Sequence, residues 1–372
     1  MLPRRVVFLA SEYPPHVYGG LGTVIAALSR TLAQRSVAVE LFVPQQPGYA
    51  AAPPGVRLHE IAVEEATSNE EYWQNFCRQA VVRAKEGLAE DIDLVHCHDW
   101  MTAPAGIGFR DVLGVPLVFS VHLPQAPGPY RRMEDLGLVQ ADAVIVNSQA
   151  VADEVGERPV GIAPLAILPN GVDTTAYHPA VRPPSREPYV LFVGRLVPQK
   201  GVDVLLRAFG AVLRRIPRAR LLVVGDGEQR LYLERMARAL GLMPQVVFLG
   251  WQTGPELVHL YQQAEVLAVP SVYEPFGLVA LEGLACGRPV VASRTGGLAD
   301  IVTDGTDGWL VDPADHLQLA QRLAWLLLDR RLAEGFGSAA VARAAQFAWE
   351  AVTARTQRLY ADVIDGRRSD GS

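Results

Sequence analysis

The chain of 372 residues is 49% hydrophobic and 20% charged, with a formal net charge of −6. Those values suit two globular domains of ordinary size and exclude a disordered or fibrous protein; the net acidity argues against non-specific nucleic-acid binding. The charge is unevenly spread: residues 1–180 carry 12 Lys and Arg against 20 Asp and Glu, net −8, and the remainder 22 against 20, net +2.

Val6 to Ala10 forms a buried strand by length and composition, too short for a signal peptide and soon followed by Glu12. The loop Ser11-Glu-Tyr-Pro-Pro-His-Val-Tyr-Gly-Gly-Leu-Gly follows, stiffened by prolines, with helical spacing from Val24 to Gln34. Gly19 and Gly20 let backbone N–H groups approach a ligand, yet the spacing is not that of a dinucleotide fingerprint. A strand over Val37 to Val43, a Pro/Gly-rich connection from Gln45 to Gly55 and a helix over Asn69 to Ala89 come next. Tyr72, Trp73 and Phe76 are its core-packing face. Asp93-Leu-Val-His-Cys-His-Asp-Trp is a strand ending in His96, His98 and Asp99; a metal site is one reading, although no further ligand is placed nearby. Pro116 to His122 repeats the pattern, and a histidine at a strand end is either a structural hydrogen-bonder or a cleft residue. Gln125 to Gly137 is irregular and includes Arg131 and Arg132. Ala141 to Ser148 is another strand, with Ser148 as the N-cap of a helix, and Asn170-Gly171 is a turn or a cleft element.

His178 to Pro188 holds four prolines and is expected to be a linker. The α/β alternation restarts at Tyr189-Val-Leu-Phe-Val-Gly-Arg-Leu-Val-Pro-Gln-Lys-Gly. Arg195 and Lys200 flank its strand-to-helix turn with Gly194 and Gly201 at the bends, well placed to hold a diphosphate. Val-Gly-Asp-Gly (224–227) invites a second dinucleotide reading but lacks the third glycine. A helix over Gln229 to Leu240 and a strand closing at Val246 to Trp251 lead through Leu257 to Gln263 to the stretch that organises the chain. There, Val272-Tyr-Glu-Pro-Phe-Gly-Leu-Val-Ala-Leu-Glu sits between two buried strands, with a helix from about Phe276 opening at a strand's carboxyl end, where open α/β sheets bind ligands. Its first N–H groups favour an anion. Glu274 and Glu282 lie about two turns apart on one helix face; Glu274 is a capping acid or a ligand contact. Helices over Asp315–Asp329 and Arg331–Gln346, a terminal helix over Phe347–Ile364 and a disordered polar tail from Gly366 complete the expectation.

The Glu-Pro-Phe-Gly-x4-Glu element resembles the E-x7-E element of the retaining glycosyltransferases of family 4, which have the GT-B fold. Further matches are Pro-Pro-x-x-x-Gly-Gly in the first loop, His-Asp-Trp, the strand-terminal His122, Pro-Asn-Gly at 169–171, Val-Gly-Arg-x4-Lys-Gly, Val-Gly-Asp-Gly and the Gly-Gly turn after Ser293. The first loop is most similar to that of glycogen-synthase-like members, although Val17 stands where bacterial glycogen synthases carry a lysine. The resemblance implies two facing Rossmann-like domains with an interdomain cleft, residues 1–178 plus a crossover helix and tail (347–372) forming the acceptor domain and 179–346 the donor domain.

It also implies the site. His122, Arg195, Lys200, Glu274 and Asp99 form the catalytic set. Gly19, Gly20, Gly194, Leu249, Phe276, Gly277, Leu278, Val279 and Glu282 bind the donor, with Glu274 on sugar hydroxyls, Glu282 on ribose hydroxyls and the main chain around Leu249 on the base. No Asp-x-Asp pair stands at a suitable strand end, so fixed cations, amides and a helix start are expected to stabilise the leaving diphosphate without a metal or cofactor. The expected reaction is transfer of a hexose, glucose by preference, from a UDP- or ADP-sugar to a soluble sugar or glucan. A GT-B sugar-nucleotide epimerase, or transfer to a lipid or cell-surface polysaccharide, is the alternative. Some relatives dock on anionic lipid through a basic N-terminal domain; the acidic first half here argues for a soluble acceptor. The odd number of cysteines (Cys77, Cys97, Cys286), without metal-ligand spacing, and the lack of a membrane-length apolar run point to a cytoplasmic protein with no integral membrane segment. Oligomeric state is left open.

Overall fold

The computed structural model describes residues 2–17, 19–49, 51–88, 91–180 and 187–370, with 368–370 in backbone only. Tyr18 of the first loop, Ala89 at the expected end of the second helix, most of the proline-rich linker (181–186) and the last two tail residues lie outside that set. The chain divides into one unit of Met1–Gly171 with Trp349–Ser372 and another of Val172–Ala348. The crossings therefore fall at 171/172 and 348/349, against the expected 178/179 and 346/347. A backbone bond from Val172 N to Phe347 O (2.9 Å) joins the two crossing segments inside the second unit.

The first unit is built on seven parallel strands, β1 Arg5–Leu9, β2 Ala38–Pro44, β3 Val56–Ile61, β4 Leu94–His98, β5 Leu117–Val121, β6 Ala143–Val146 and β7 Leu165–Ile167, in the order β3-β2-β1-β4-β5-β6-β7. Its helices are α1 Gly20–Gln34, α2 Asn69–Gly87, α3 Ala103–Leu113, α4 Pro129–Gln140 and α5 Gln149–Gly156. The second unit has six parallel strands, β8 Tyr189–Val193, β9 Arg220–Val224, β10 Val246–Gly250, β11 Val266–Val269, β12 Val290–Ser293 and β13 Gly308–Val311, ordered β10-β9-β8-β11-β12-β13. Helices α6 Val202–Arg215, α7 Arg230–Ala239, α8 Gly254–Gln263, α9 Leu278–Ala285, α10 Leu298–Ile301, α11 His316–Leu328 and α12 Arg330–Ala345 surround it, and α13 Trp349–Asp370 returns to the first unit. The central strands are near-continuous apolar runs because helices cover both sheet faces; Val6 to Leu9, for example, are fully buried. In both units the strand order reverses beside the first strand, at β1/β4 and at β8/β11. Crevices at the carboxyl ends of such pairs are where doubly wound sheets hold ligands.

Several elements differ from the sequence expectation. β3 is an edge strand whose Val-Arg-Leu-His-Glu-Ile run is too polar to announce itself, and α3 was not foreseen. The stretch 125–137, expected to be irregular, holds most of α4: Pro129 occupies the first turn, where its missing N–H costs nothing, and Met133, Glu134, Gly137 and Leu138 are buried. α1 begins at Gly20 rather than Val24, so the glycine pair is the helix start itself. α9 begins at Leu278. The chain from Gly366 to Asp370 is helical, not a disordered tail; Arg367 Nη1 ties it to Val115 O (2.6 Å) and Asp142 Oδ2 (3.2 Å).

Candidate active site

In the second unit, the loops after β8 and β11 leave neighbouring strands at the switch point and are tied to each other. Val272 N donates to Gln199 O (2.8 Å). Gly201 adopts a left-handed conformation (φ 64°), and a Cβ there would stand 2.2 Å from Pro270 O, so only glycine lets the β8 turn press against the end of β11. A third loop locks the arrangement from behind: Gly297 N donates to Glu274 O (3.0 Å), and a Cβ on Gly296 would lie 1.9 Å from that oxygen. The backbone that carries Glu274 is thus fixed on two sides.

Lys200 Nζ lies 2.6 Å from Glu274 Oε2, and Ser271 Oγ donates to the same oxygen (3.2 Å). Glu274 is 8% exposed. Phe276 is buried behind it in the second unit's core, and Gly277 (φ 112°) turns the chain into α9 with no side-chain cap. The first intrahelical bond is Ala280 N to Gly277 O (2.9 Å), so the N–H groups of Leu278 and Val279 precede the helical ladder. Glu282 sits one turn further on. Tyr261 OH donates to its Oε2 (2.7 Å), and Tyr177 OH also bonds the carboxylate. Burial pushes Glu282 up to about 7, while the two phenol hydrogen bonds pull the other way.

Gly194 and Arg195 share the β8 loop with Lys200. The Arg195 side chain is exposed, whereas Lys200 is half-buried. Gly225 packs against this loop through its own backbone, a Cβ there falling 1.9 Å from Gly194 O. That close packing, not a dinucleotide, is what its glycine serves. Leu249 lies in β10, and its carbonyl accepts Gln252 Nε2 (3.2 Å).

The first unit gathers the other set. Gly19 is the N-cap of α1, and Glu12 accepts the N–H of Gly22 (3.3 Å). Asp99 follows β4 in a left-handed conformation (φ 60°), and its Oδ1 accepts the N–H of His122 (2.6 Å). Burial drives its carboxyl up to about 8 against hydrogen bonds from the His122 and Leu123 main chain, with Glu134 and Glu12 adding to the rise. Asp99 therefore anchors the loop that carries His122. His98 Nδ1 meets His122 Nε2 (3.1 Å), Asn147 Nδ2 donates to His122 O (3.1 Å), and His96 is held between Tyr360 OH (2.6 Å) and Ser120 Oγ (2.7 Å). Both ring nitrogens of His96 are engaged, whereas His98 bonds through Nδ1 and its Nε2 is buried without a hydrogen-bond partner. Burial lowers the basicity of all three rings, that of His122 to about 4. A cavity of about 30 Å³ borders His98, His122, Asn147 and Trp349.

Sequence reasoning missed Tyr177, Tyr261 and Ser271, and in the first unit Glu134 and Arg158. Glu134 is fully buried, pairs with Arg158 at 2.5 Å and accepts Gln125 N (3.1 Å), pinning the loop after His122. Ser271 lies beside the quoted motif; Tyr261 and Tyr177 are about twenty residues or more from Glu282, as Arg158 is from Glu134, and they carry no local signal.

Two strand-end sites on two Rossmann-like units, with a Lys–Glu pair and an uncapped helix start in one of them, are those of a glycosyltransferase of the GT-B fold. The chain belongs to glycosyltransferase family 4: the profile described as "Glycosyl transferases group 1" matches residues 173–343, and "Glycosyltransferase Family 4" matches 18–176. D-inositol 3-phosphate glycosyltransferase 2 of Catenulispora acidiphila is 35% identical over 99% of this chain and 97% of that protein. D-inositol 3-phosphate glycosyltransferase of Segniliparus rotundus is 33% identical over 98% and 90%. Among solved structures, sucrose-phosphate synthase of Thermosynechococcus elongatus superposes with a TM-score of 0.84 at 25% identity, covering 98% of this chain and all of that one.

Proposed function

We propose that this glycosyltransferase is a retaining, cytoplasmic hexosyltransferase that takes UDP- or ADP-glucose and delivers the sugar to a soluble sugar, polyol or glucan. The observation that carries the reading is the Lys200–Glu274 pair at the β8/β11 switch point, immediately before the α9 start. Breaking an anomeric C–O bond releases a diphosphate, whose growing charge needs fixed positive partners. Lys200 keeps two N–H donors beyond the one given to Glu274, Arg195 supplies a planar fork from the same loop, and the Leu278 and Val279 amides add main-chain dipoles. Each such donor is worth roughly 3 kcal/mol in the transition state. Glu274 accepts donor-sugar hydroxyls, Phe276 and Gly277 shape the backbone against the sugar, Glu282 takes the ribose diol and the main chain at Leu249 the base. In the first unit, Asp99 holds the His122 loop and the Gly19–Gly20 pair starts α1. No metal or cofactor is assigned a role.

A phosphate-bearing small acceptor is favoured over a glucan by a specific feature. Arg131 and Arg132 stand in the first turn of α4, whose N-cap Gly128 brings no side-chain cap. The relatives named for D-inositol 3-phosphate support that choice. The test is mass spectrometry of wild-type protein and Lys200→Ala with UDP- and ADP-glucose, with EDTA, and with glucose, inositol, inositol 3-phosphate or glucan added. Acceptor-dependent product, insensitive to EDTA and reduced at least a hundredfold in the variant, is expected. Sugar isomerisation without an acceptor would instead establish an epimerase, and undiminished transfer by Lys200→Ala would remove the site.

A further inference from the structure

Glu282 is not a lone helix-face carboxylate. It projects from the second turn of α9 into a corner made by α8 and by the segment just after the chain enters the second unit. Tyr261, fully buried in α8, places its hydroxyl 2.7 Å from Oε2. Tyr177 bonds the same carboxylate, and the two phenol rings meet edge-on at 5.8 Å. Glu282 as a residue is half-buried, not sealed in the core. No cation is paired with it in the described residues: the charged or titratable groups nearby are the two phenols, Cys286 and, beyond Tyr177, Asp173, with Arg288 next to Cys286.

We propose that Tyr177 and Tyr261 are positioning residues for recognition of the nucleotide ribose: their hydroxyls aim the Glu282 carboxylate and hold it as an acceptor for a vicinal diol. The chemistry is direct. A ribose offers two adjacent O–H donors, and a carboxylate can accept both only when it is ionised and correctly turned. Without a cation beside it, a half-buried acid reverts towards the neutral form, which donates one of the positions the diol needs. Two phenol donors favour the ionised form without supplying a counter-charge that would compete with the ligand. The inference rests on the donor reading above, which assigns the ribose to Glu282.

The experiment measures binding of UDP and ADP, each beside its 2′,3′-dideoxy analogue, by calorimetry from pH 6 to 9. Wild-type protein is compared with Tyr261→Phe, Tyr177→Phe and the double variant. Removing one hydroxyl leaves ring packing in place, so folding is retained. Wild type is expected to prefer the ribonucleotide, with a preference that grows as pH rises through the range in which Glu282 ionises. Each variant should lose about tenfold in that preference, the size of a lost hydrogen bond to a charged group, and its pH midpoint should move upward. Dideoxy binding should stay level, which a merely structural defect would not spare. Wild-type protein that binds neither nucleotide sinks the donor reading and this inference together. Wild-type discrimination retained unchanged in both variants sinks this inference alone.

Discussion

Glu274 and Lys200 are 74 positions apart yet share one short ion pair, and their fates on substitution should differ. Lys200→Ala removes a cation from the diphosphate and leaves Glu274, 8% exposed, without its counter-charge. Nucleoside-diphosphate affinity and turnover should both fall, affinity by about tenfold or more. Glu274→Ala does the opposite to the ammonium: it frees Lys200 for phosphate. Calorimetry with UDP and ADP should therefore find binding by Glu274→Ala equal to or tighter than wild type, while transfer drops at least a hundredfold. Equal losses of binding in both variants would mean that the carboxylate serves the nucleotide and not the sugar. The motif spacing in the chain already nominated both residues, because cations at a strand-to-helix turn and an acid at a helix start are local signals. Their contact was not legible, since nothing local states which two loops meet.

At the level of elements, the loops work by backbone contact, and glycine is the device. Gly201→Ala forces a Cβ into Pro270 O at 2.2 Å, against a backbone that cannot yield, on top of about 1 kcal/mol for a left-handed alanine. Gly114→Ala supplies the comparison: its φ is 70°, but no atom lies within 4 Å of the added carbon. Chemical denaturation should show a loss of about 1 kcal/mol for Gly114→Ala with activity intact, and a clearly larger one for Gly201→Ala with donor affinity reduced as Lys200 is displaced. The helix beginning at Pro129 makes a related point. Its stretch is rich in proline and glycine, and the run looks irregular, yet Met133 and Leu138 find a core face and Gly137 lies flat against Phe119. Burial decided the element where local composition was ambiguous.

For the whole molecule, buried titratable groups set opposing pH dependences. Asp99 rises to about 8 when folded, so between its ordinary value near 4 and about 8 the folded protein holds more protons than the unfolded chain, and stability falls as pH rises through that window. The buried rings of His96, His98 and His122 are shifted down, so their contribution is complete above about 6.5 and is lost as pH falls below it. Asp99→Asn keeps an oxygen for the His122 N–H and suits the left-handed backbone, while removing the titration. Thermal unfolding from pH 5 to 8.5 should show wild type losing stability relative to Asp99→Asn as pH climbs, with the gap widest at the alkaline end. Parallel curves would place the Asp99 carboxyl in an ordinary acidic range.

Taken alone, the sequence determined the α/β alternation, the family and most strand-end residues, because buried parallel strands, Gly-rich bends and charged turns are written within ten or so neighbouring positions. It did not determine β3 or α4, the points at which the chain changes unit, or the partners of the acids. Asp99 turns inward to hold the loop of His122, and Glu282 gains Tyr261 and Tyr177, only because strand order and helix packing bring distant positions together. Hydrogen bonds of that kind depend on distances in space of about 3 Å, which carry no periodicity along the chain, so folding alone assigns them.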